Sequence, residues 1–368
     1  MGAMRTIVVS DLHLGVENGA DVARFQAVRE RLVAALARAD RVILLGDTLE
    51  LRELPLPSLL ERVRPFFAAA AEAVAGKHVT LIPGNHDHAL AEPYLLRWRL
   101  DGASDAIDRE WPVERGEGIA GRLAEWMPEA ELTIAYPGLR LRPDVYLTHG
   151  HYLDVHLTVP RLEALAASAM ARLTRGDREC ASVADYEAVL SPIYAFHHAL
   201  AQSGTPKAQT GSLSRNVWQR ATDPEGPVLA RFLIGRLTIP GAVAALNGVG
   251  IGPFSAELSA EELRLSGLRA MCKVLRALGV EADHIVFGHI HRAGPLAGDS
   301  ADEWRLPGGG RLWNTGSWYH ERVFLGEDPH ASPYWPGTVG WVDEDGPPEL
   351  ENLLPDVELR AAQPVRAR

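Results

Sequence analysis

Aspartate, histidine and asparagine residues lie in five short clusters, and each cluster follows an apolar, strand-like run. In chain order the clusters hold Asp11 and His13; Asp47; Asn85, His86 and Asp87; His149; and His289 and His291. Ligand sites of α/β proteins lie outside the carboxyl ends of the strands, so we expect the five clusters to meet in one crevice. Carboxylate, imidazole and amide-oxygen ligands together suit divalent cations such as Mn, Fe, Zn or Ni. The sequence therefore predicts a metal site that is assembled from five strand ends.

Two of the clusters repeat the same spacing, in Asp11-Leu-His13 and in His289-Ile-His291. In an extended backbone, residues i and i+2 point to the same side. We therefore expect both members of each pair to face the metals, while the apolar residue between them faces the core.

A pair of bound cations would make this site a hydrolase centre for phosphate groups. Two divalent cations about 3.5 to 4 Å apart can bind a phosphoryl group, lower the pKa of a bridging water and stabilise an in-line displacement. A hydroxide that the two metals activate is then the nucleophile, and neither a serine nor a cysteine nucleophile is required. The residue types thus favour metal-dependent hydrolysis of a phosphate ester or anhydride.

The elements that must position these clusters are short buried strands, which show as runs rich in β-branched residues. They are predicted at Thr6–Val9, Arg41–Leu45, His78–Ile82, Asp144–Leu147, His284–Phe287 and Arg311–Trp313. Helical patterns lie between the first three runs, including one from Ser58 to Val74 with Ser58 as the helix N-cap. The alternation of strands and helices predicts a layered α/β core whose early strands are parallel.

The composition of the chain changes after residue 152. Residues 4–152 and 283–342 are predicted to form the two parts of the core, and residues 153–282, rich in Ala, Leu and Arg, a largely helical insertion. Residues 343–368 are polar and Pro-rich, which predicts a peripheral C-terminal tail. Because the insertion leaves from the rim of the site and returns to it, it suits a lid or a substrate-recognition cap.

Five motifs give the sequence a specific resemblance: SDLHLG, LLGD, PGNHD, THGH and GHIH. In order and character they are similar to the five motifs of the calcineurin-like metallophosphoesterase superfamily, over about the first 150 residues and over Asp283–Trp318. The resemblance implies a metallophosphoesterase with an αββα sandwich core, in which two sheets pack face to face. It also implies two divalent metal ions, with Mn favoured over Fe, Zn and Ni.

The resemblance assigns a role to each clustered residue. One metal would be held by Asp11, His13 and His291, the other by Asn85, His149 and His289, and Asp47 would bridge both. His86 would be a catalytic residue that donates a proton to the leaving oxygen or stabilises its charge. Asp87, also placed among the catalytic residues, would orient the loop. The substrate-binding candidates are His88, His151 and Ser317, with a simple strand-to-loop turn as the alternative for Ser317.

The residues that follow Asp47 bear on the substrate. They lack the Asp-Arg-Gly of phosphoprotein phosphatases, which argues against protein phosphatase activity. Glu50 instead resembles the branch that includes UDP-2,3-diacylglucosamine diphosphatases. A small phosphorylated substrate, cleaved at a phosphodiester or a diphosphate, is therefore expected.

A nuclease or cyclic-nucleotide phosphodiesterase is the enzymatic alternative. A non-catalytic metal-binding interaction scaffold is the alternative from another class, against which the complete ligand set argues.

The composition limits the partners and the compartment. The chain has 37 Lys and Arg against 48 Asp and Glu, a net charge of -11, which argues against a broad nucleic-acid-binding face. Cys180 and Cys272 form no disulfide or metal pattern and no signal peptide is recognised, so we expect a cytoplasmic protein. No transmembrane segment is predicted, although Leu229–Leu246 could contact a membrane surface or simply pack on the core. The sequence does not specify the oligomeric state.

Overall fold

The structure is a computed structural model that describes residues 4–102, 105–158, 162–176, 178–204, 260–326 and 328–359. Within these residues the strands are β1 (Thr6–Val9), β2 (Arg41–Leu44), β3 (His78–Leu81), β4 (Arg109–Pro112), β5 (Glu131–Tyr136), β6 (Gly138–Arg142), β7 (Val145–Thr148), β8 (His284–Phe287), β9 (Arg311–Asn314), β10 (Thr338–Val342) and β11 (Glu349–Asn352). The α-helices there are α1 (Gln26–Ala37), α2 (Leu56–Ala70), α3 (Glu92–Leu100), α4 (Gly118–Trp126), α5 (Leu162–Arg175), α6 (Val183–Gln202) and α7 (Ala260–Ala277).

Strands β1, β2, β3 and β5 form the parallel centre of a seven-stranded sheet, whose order is β11-β10-β1-β2-β3-β5-β4. The register places Val8 beside Ile43, and Val42 beside Val79. These strands are apolar on both faces because both faces are buried, as is usual for parallel strands. The chain passes from β1 to β2 through α1 and from β2 to β3 through α2, so the predicted parallel arrangement is confirmed.

A second sheet has four strands in the order β6-β7-β8-β9, with β6 antiparallel to β7 and the others parallel. Alternate residues of β1 show how the two sheets pack. Val8 belongs to an apolar cluster with Leu147 of β7 and Val286 of β8, whereas Ile7 and Val9 belong to a cluster with residues of α1 and α2. One face of the large sheet therefore packs on the small sheet and the other on helices. The mixed α/β class is confirmed, in agreement with the predicted αββα sandwich.

The chain divides into two compact units. One comprises Met1–His151, His198–Gly204 and Val280–Arg368, and it contains both sheets with α1 to α4. The other comprises Tyr152–His197 and Thr205–Gly279, and its described helices are α5, most of α6, and α7. The described part of the predicted insertion, residues 153–282, is therefore largely helical.

Two further regions bear on the sequence predictions. The segment after residue 342, predicted to be a peripheral tail, includes β11, which pairs with β10 at the edge of the large sheet. Leu229–Leu246, the stretch considered for membrane contact, lies outside the described residues. In the parts of the chain that are described, no helix is both long and apolar enough to cross a bilayer.

Candidate functional site

Hydrogen bonds of the backbone join the loops that carry the predicted metal ligands. The amide of Asp11 donates to the carbonyl of Gly46 (3.0 Å), and the amide of His13 donates to the carbonyl of Asp47 (2.7 Å). The amide of His289 donates to Oδ2 of Asp11 (3.0 Å), which brings the loop after β8 onto the loop after β1. Loops that are distant in sequence are thus fixed at the carboxyl ends of the parallel strands, as expected from the chain order of the clusters.

Backbone conformation sets five of the seven predicted metal ligands apart from the rest of the described chain. Its non-glycine residues with positive φ are all predicted metal ligands: Asp11 (52°), His13 (44°), Asp47 (47°), His289 (67°) and His291 (59°). Such a conformation costs about 1 to 3 kcal/mol and persists only where the surrounding structure enforces it. The extended backbone expected for Asp11-Leu-His13 and His289-Ile-His291 is therefore wrong, and left-handed turns bring these side chains together instead.

Glycines let the ligand loops approach more closely than a side chain would allow. A Cβ atom on Gly46, whose φ is 79°, would lie 2.2 Å from Nδ1 of His149. A Cβ atom on Gly288 would lie 2.4 Å from Oδ2 of Asp11. Neither position can therefore accept a side chain without displacing a predicted metal ligand.

Asp11, His13 and His291 form the first corner of the site. Nε2 of His291 lies 3.3 Å from Oδ1 of Asp11 and 3.1 Å from Nε2 of His13. The three residues offer ligand atoms that all lie within 4.8 Å of one another. The Asp11 carboxylate is fully buried, whereas 29% of the His291 side chain is exposed, so this corner opens to solvent on the His291 side.

Asn85, His149 and His289 form the second corner, and Asp47 lies between the two corners. Oδ1 of Asn85 is 3.3 Å from Nε2 of His149 and 3.1 Å from Nδ1 of His289. Oδ2 of Asp47 is 3.3 Å from Nε2 of His149 in this corner and 3.7 Å from Nε2 of His13 in the first. One carboxylate oxygen therefore faces both corners, which is the placement that a bridging ligand requires.

The side-chain amide of Asn85 lies among atoms that could coordinate a cation together with it. Its oxygen points at Oδ2 of Asp47 (3.2 Å) as well as at the imidazole nitrogens of His149 and His289, and an ionised carboxylate oxygen can only accept hydrogen bonds. With nothing between them, the two oxygens repel each other. A divalent cation coordinated by all of these atoms would remove that repulsion. The residues of the second corner thus fit a metal ion.

The charges around the site favour a positive ion. Burial lowers the pKa of His149, but the Asp47 and Asp11 carboxylates outweigh burial and raise this pKa from 6.5 to about 10. Burial also lowers the pKa of His13, but Glu50 and the same two carboxylates outweigh it and raise this pKa to about 9. Carboxylates that hold protons on buried imidazoles also attract metal cations, whose binding would release those protons.

Glu50 links a predicted metal ligand to the predicted proton donor. Its Oε2 accepts a hydrogen bond from Nδ1 of His86 (2.6 Å), and Nδ1 of His13 lies 3.3 Å from the same oxygen. Burial by itself raises the pKa of Glu50, but the His86 charge and the two hydrogen bonds hold it below its usual range. The ionised carboxylate makes Nδ1 the donor of each imidazole, which leaves Nε2 of His13 for a metal and Nε2 of His86 for a substrate. The side chain of His86 is 24% exposed, so a substrate can reach it.

Asp87 is buried and ties two loops of the site together. Its carboxylate accepts hydrogen bonds from the backbone amides of Gly84 (2.7 Å), Thr48 (2.7 Å) and Asp47 (3.2 Å). Burial and the neighbouring Asp47 charge raise the pKa of Asp87 to about 6. These contacts hold the loop after β3 against the loop after β2, which supports a loop-orienting role for Asp87.

The three substrate-binding candidates are buried. His151 is 1% exposed, and its Nε2 lies 3.0 Å from the hydroxyl of Tyr136. His88 is 2% exposed, and its ring packs edge-on against the same tyrosine. The hydroxyl of Ser317 lies 3.4 Å from the backbone oxygen and nitrogen of Tyr319, within a turn. These positions favour support of the site over direct contact with a substrate.

Two residues beside the site belong to none of the motifs. The ring centroid of Tyr319 lies 5.3 Å from that of His13 and 5.9 Å from that of His291. Nη1 of Arg52 lies 3.1 Å from the amide nitrogen of Asn85. No spacing rule in the sequence points to either residue, and only their neighbours in three dimensions identify them.

Residues 4–197 match the sequence model of a family described as calcineurin-like phosphoesterase. No curated protein matches the chain. Among solved structures, a dimetal phosphatase from Danio rerio is 12% identical, with 95% of this chain and 98% of that chain covered and a TM-score of 0.34. A cold-active protein-tyrosine phosphatase from a psychrophilic Shewanella is 14% identical, with 93% of this chain and 76% of that chain covered and a TM-score of 0.28. The family match spans more than half of the chain.

Proposed function

Because this chain belongs to the calcineurin-like phosphoesterase family, we propose that it hydrolyses a phosphodiester or a diphosphate at the site described above. Membership of the family makes it a metallophosphoesterase, that is, a metal-dependent phosphoric ester hydrolase. The observation that carries the proposal is the single Asp47 oxygen that faces both corners of the site.

Two divalent cations, when bound, would lower the pKa of a water molecule and neutralise the charge of the phosphoryl group. Asp11, His13 and His291 would hold one cation, Asn85, His149 and His289 the other, and Asp47 both. Mixed oxygen and nitrogen ligands without a thiolate support Mn, with Fe, Zn and Ni as alternatives. Glu50 would fix the ring of His13 so that Nε2 stays available as a ligand.

His86 would act at the leaving group. Glu50 holds Nδ1 of His86, and the backbone amide of His86 donates to Oδ1 of Asp47 (2.8 Å), so the residue is fixed at its ring by Glu50 and at its backbone by the proposed bridging ligand. An imidazole held in this way presents Nε2 to the opening of the site. There it can donate a proton to the leaving oxygen or stabilise the charge that develops on it.

Two features support a phosphodiester or a diphosphate over a phosphomonoester. The residues after Asp47 lack the Asp-Arg-Gly of phosphoprotein phosphatases and carry Glu50 instead, which is similar to the UDP-2,3-diacylglucosamine diphosphatase branch. The large helical insertion follows directly on the His149 loop in sequence, which suits a substrate with substantial groups beyond its phosphate.

Hydrolysis of bis-p-nitrophenyl phosphate and of p-nitrophenyl phosphate, each with Mn²⁺ and after chelation, tests the proposal. We expect release of p-nitrophenolate that requires metal and is faster with the diester. A clear preference for the monoester would contradict the proposed substrate class. Two metals bound without hydrolysis of either compound would contradict catalysis on such esters and favour the interaction scaffold.

The cellular setting is also a proposal. The cysteine content supports a cytoplasmic location, and the net charge of -11 supports a small phosphorylated substrate over nucleic acid. A peripheral membrane contact through Leu229–Leu246 rests on the sequence of that stretch alone.

A further inference from the structure

The ring of Tyr319 packs against two proposed ligands of the first corner. Its centroid lies 5.3 Å from that of His13, with 68° between the ring planes, and 5.9 Å from that of His291, with 45° between the planes. The rings of His13 and His291 lie 5.0 Å apart. Each ring therefore contacts the other two, so neither imidazole can turn far without displacing the tyrosine.

The backbone around Tyr319 is fixed to the segment that follows β1. The amide of Trp318 donates to the carbonyl of Asp11 (2.9 Å), which is itself a proposed ligand of this corner. On the other side of Tyr319, the amide of His320 donates to the carbonyl of Ala20 (2.9 Å). The tyrosine is thus anchored on both sides to the segment that begins with Asp11.

Asn18 holds the far end of the same side chain. Its Nδ2 donates to the hydroxyl of Tyr319 (2.9 Å). Tyr319 is only 7% exposed, whereas Asn18 lies at the surface. The tyrosine is therefore fixed at its backbone and at its tip, which keeps its ring against the two imidazoles.

The two imidazoles depend on Tyr319 to different degrees. Nδ1 of His13 lies 3.3 Å from Oε2 of Glu50, so a carboxylate also orients this ring. His291 is the most exposed proposed ligand of the corner, with 29% of its side chain exposed against 3% for His13 and 0% for Asp11. Its Nε2 lies 3.1 Å from Nε2 of His13, so both nitrogens would face one cation. An exposed ring gains most from a partner that keeps this nitrogen in place.

We infer that Tyr319 is a positioning residue for the first corner, which keeps the imidazoles of His13 and His291 aligned for one divalent cation. The inference rests on the proposed function, because it takes these two histidines as ligands of that cation. Tyr319 acts through the ligands and takes no part in the reaction itself. Its loss should therefore weaken metal binding in the first corner and spare the second corner.

The variant Tyr319→Leu tests the inference, with Tyr94→Leu as a matched control. Tyr94 is also 7% exposed, but its ring packs against Trp111 of β4. Mn²⁺ is titrated into each metal-free protein by calorimetry. The variants His291→Ala and His289→Ala, each of which removes a ligand from one corner, assign the two binding steps to the first and the second corner.

We expect Tyr319→Leu to weaken the first-corner step by about 10- to 100-fold, as is usual when a group that orients metal ligands is removed, and to leave the second-corner step unchanged. Tyr319→Phe and Asn18→Ala keep an aromatic ring but release its tip, so each should lose less than Tyr319→Leu. Excess Mn²⁺ should restore hydrolysis of bis-p-nitrophenyl phosphate by Tyr319→Leu, because a positioning residue is needed for metal binding and not for the chemical step. Tyr94→Leu should keep both affinities.

An unchanged first-corner affinity in Tyr319→Leu would overturn the inference, and so would equal losses at both corners or the same loss in Tyr94→Leu. Hydrolysis that excess Mn²⁺ does not restore would also overturn it, since Tyr319 would then act in the reaction. If Tyr319→Leu does not fold, Tyr319→Phe and Asn18→Ala decide, and wild-type affinity in both overturns the inference. Two Mn²⁺ bound by the wild type without hydrolysis would contradict the proposed function alone, because the affinities would still decide the role of Tyr319.

Discussion

Several side chains of this site are held in states that they would avoid elsewhere. Asp11, His13 and Asp47 adopt left-handed backbone conformations. The carboxylates of Asp11 and Asp47 are also buried, among the imidazole groups of the site. Each such feature costs free energy, so the surrounding loops must enforce it. Bound cations would offset the carboxylate repulsion, which gives these conformations a functional reason.

His86→Ala should separate metal binding from proton donation. The variant removes the imidazole that Glu50 holds, while all seven proposed ligands remain. We expect both metals to stay bound and kcat to fall by about 10²- to 10⁴-fold, most for substrates with poor leaving groups, which need the proton most. Metal analysis and a series of phenyl phosphodiesters with graded leaving-group pKa measure this. An unchanged dependence of kcat on the leaving group would remove His86 from the mechanism.

Asp21→Asn should raise stability at neutral pH. Asp21 accepts a hydrogen bond from the amide of Gly15 (3.1 Å), but burial outweighs that bond and raises the pKa of Asp21 from 3.8 to about 6. The folded protein therefore binds the proton more tightly than the unfolded chain, and this contribution to stability is lost as pH rises from about 4 through about 6. An asparagine keeps the acceptor and has no charge to bury.

Urea unfolding of the metal-free wild-type and Asp21→Asn proteins, at about pH 4 and about pH 7.5, measures the effect. The variant should gain about 2.4 kcal/mol relative to wild type between the two pH values, which is most of the free energy that corresponds to the shift in pKa, because the unfolded carboxyl is already partly ionised at about pH 4. A difference between the two proteins that does not change with pH would contradict this account of Asp21.

The helices stabilise the site from the far face of the large sheet. Helix α2 buries Phe67, which is 1% exposed and packs against the rings of Phe66 and of Trp126 in α4. The same cluster contains Val9 and Leu44, from the ends of the strands that lead to Asp11 and Asp47. Packing of this helix layer therefore holds the strand ends in place.

Phe67→Ala should cost about 3 to 5 kcal/mol of unfolding free energy, because it leaves a cavity beneath the sheet. Leu96→Ala is the control, since Leu96 is 57% exposed and its truncation should change stability by less than about 0.5 kcal/mol. Denaturant unfolding of both variants measures these values. Equal, small losses in the two variants would show that the Phe67 cluster does not stabilise the core.

Sequence patterns predicted the elements that carry the site better than those at the sheet edges. The runs around Ile7, Ile43 and Val79 are apolar and β-branched because both faces of their strands are buried, and all three form strands. The predicted set lacks β4, β5, β6, β10 and β11. Of these, β4 and β11, with the sequences REWP and ELEN, are polar edge segments without that signal, whereas β5 and β10 are internal strands that the prediction missed. The predicted Ser58 N-cap is wrong, because α2 begins at Leu56 after Pro55.

The chemistry of the site was only partly visible in the sequence. Ligand types could be predicted because the clusters follow recognisable strands, but the left-handed turn at His13 is imposed by contacts with the loop after β2. The contact of Arg52 with Asn85 depends on how two loops meet in space, so no spacing rule reveals it. Glu50 is marked in the sequence only by its position three residues after Asp47, and its contact with His86 is visible only in the structure.

At the scale of the whole molecule, the proposed function is that of a hydrolase in which two cations would share the Asp47 carboxylate. The most direct test compares wild type with Asp47→Ala, by counting bound Mn per chain through mass spectrometry and by measuring hydrolysis of bis-p-nitrophenyl phosphate on the same samples. We expect two bound ions in the wild type, fewer in Asp47→Ala, and a loss of activity of about 10³-fold or more, because without the bridge neither the water nor the phosphoryl group is activated. Two retained metals with full activity in Asp47→Ala would contradict the account.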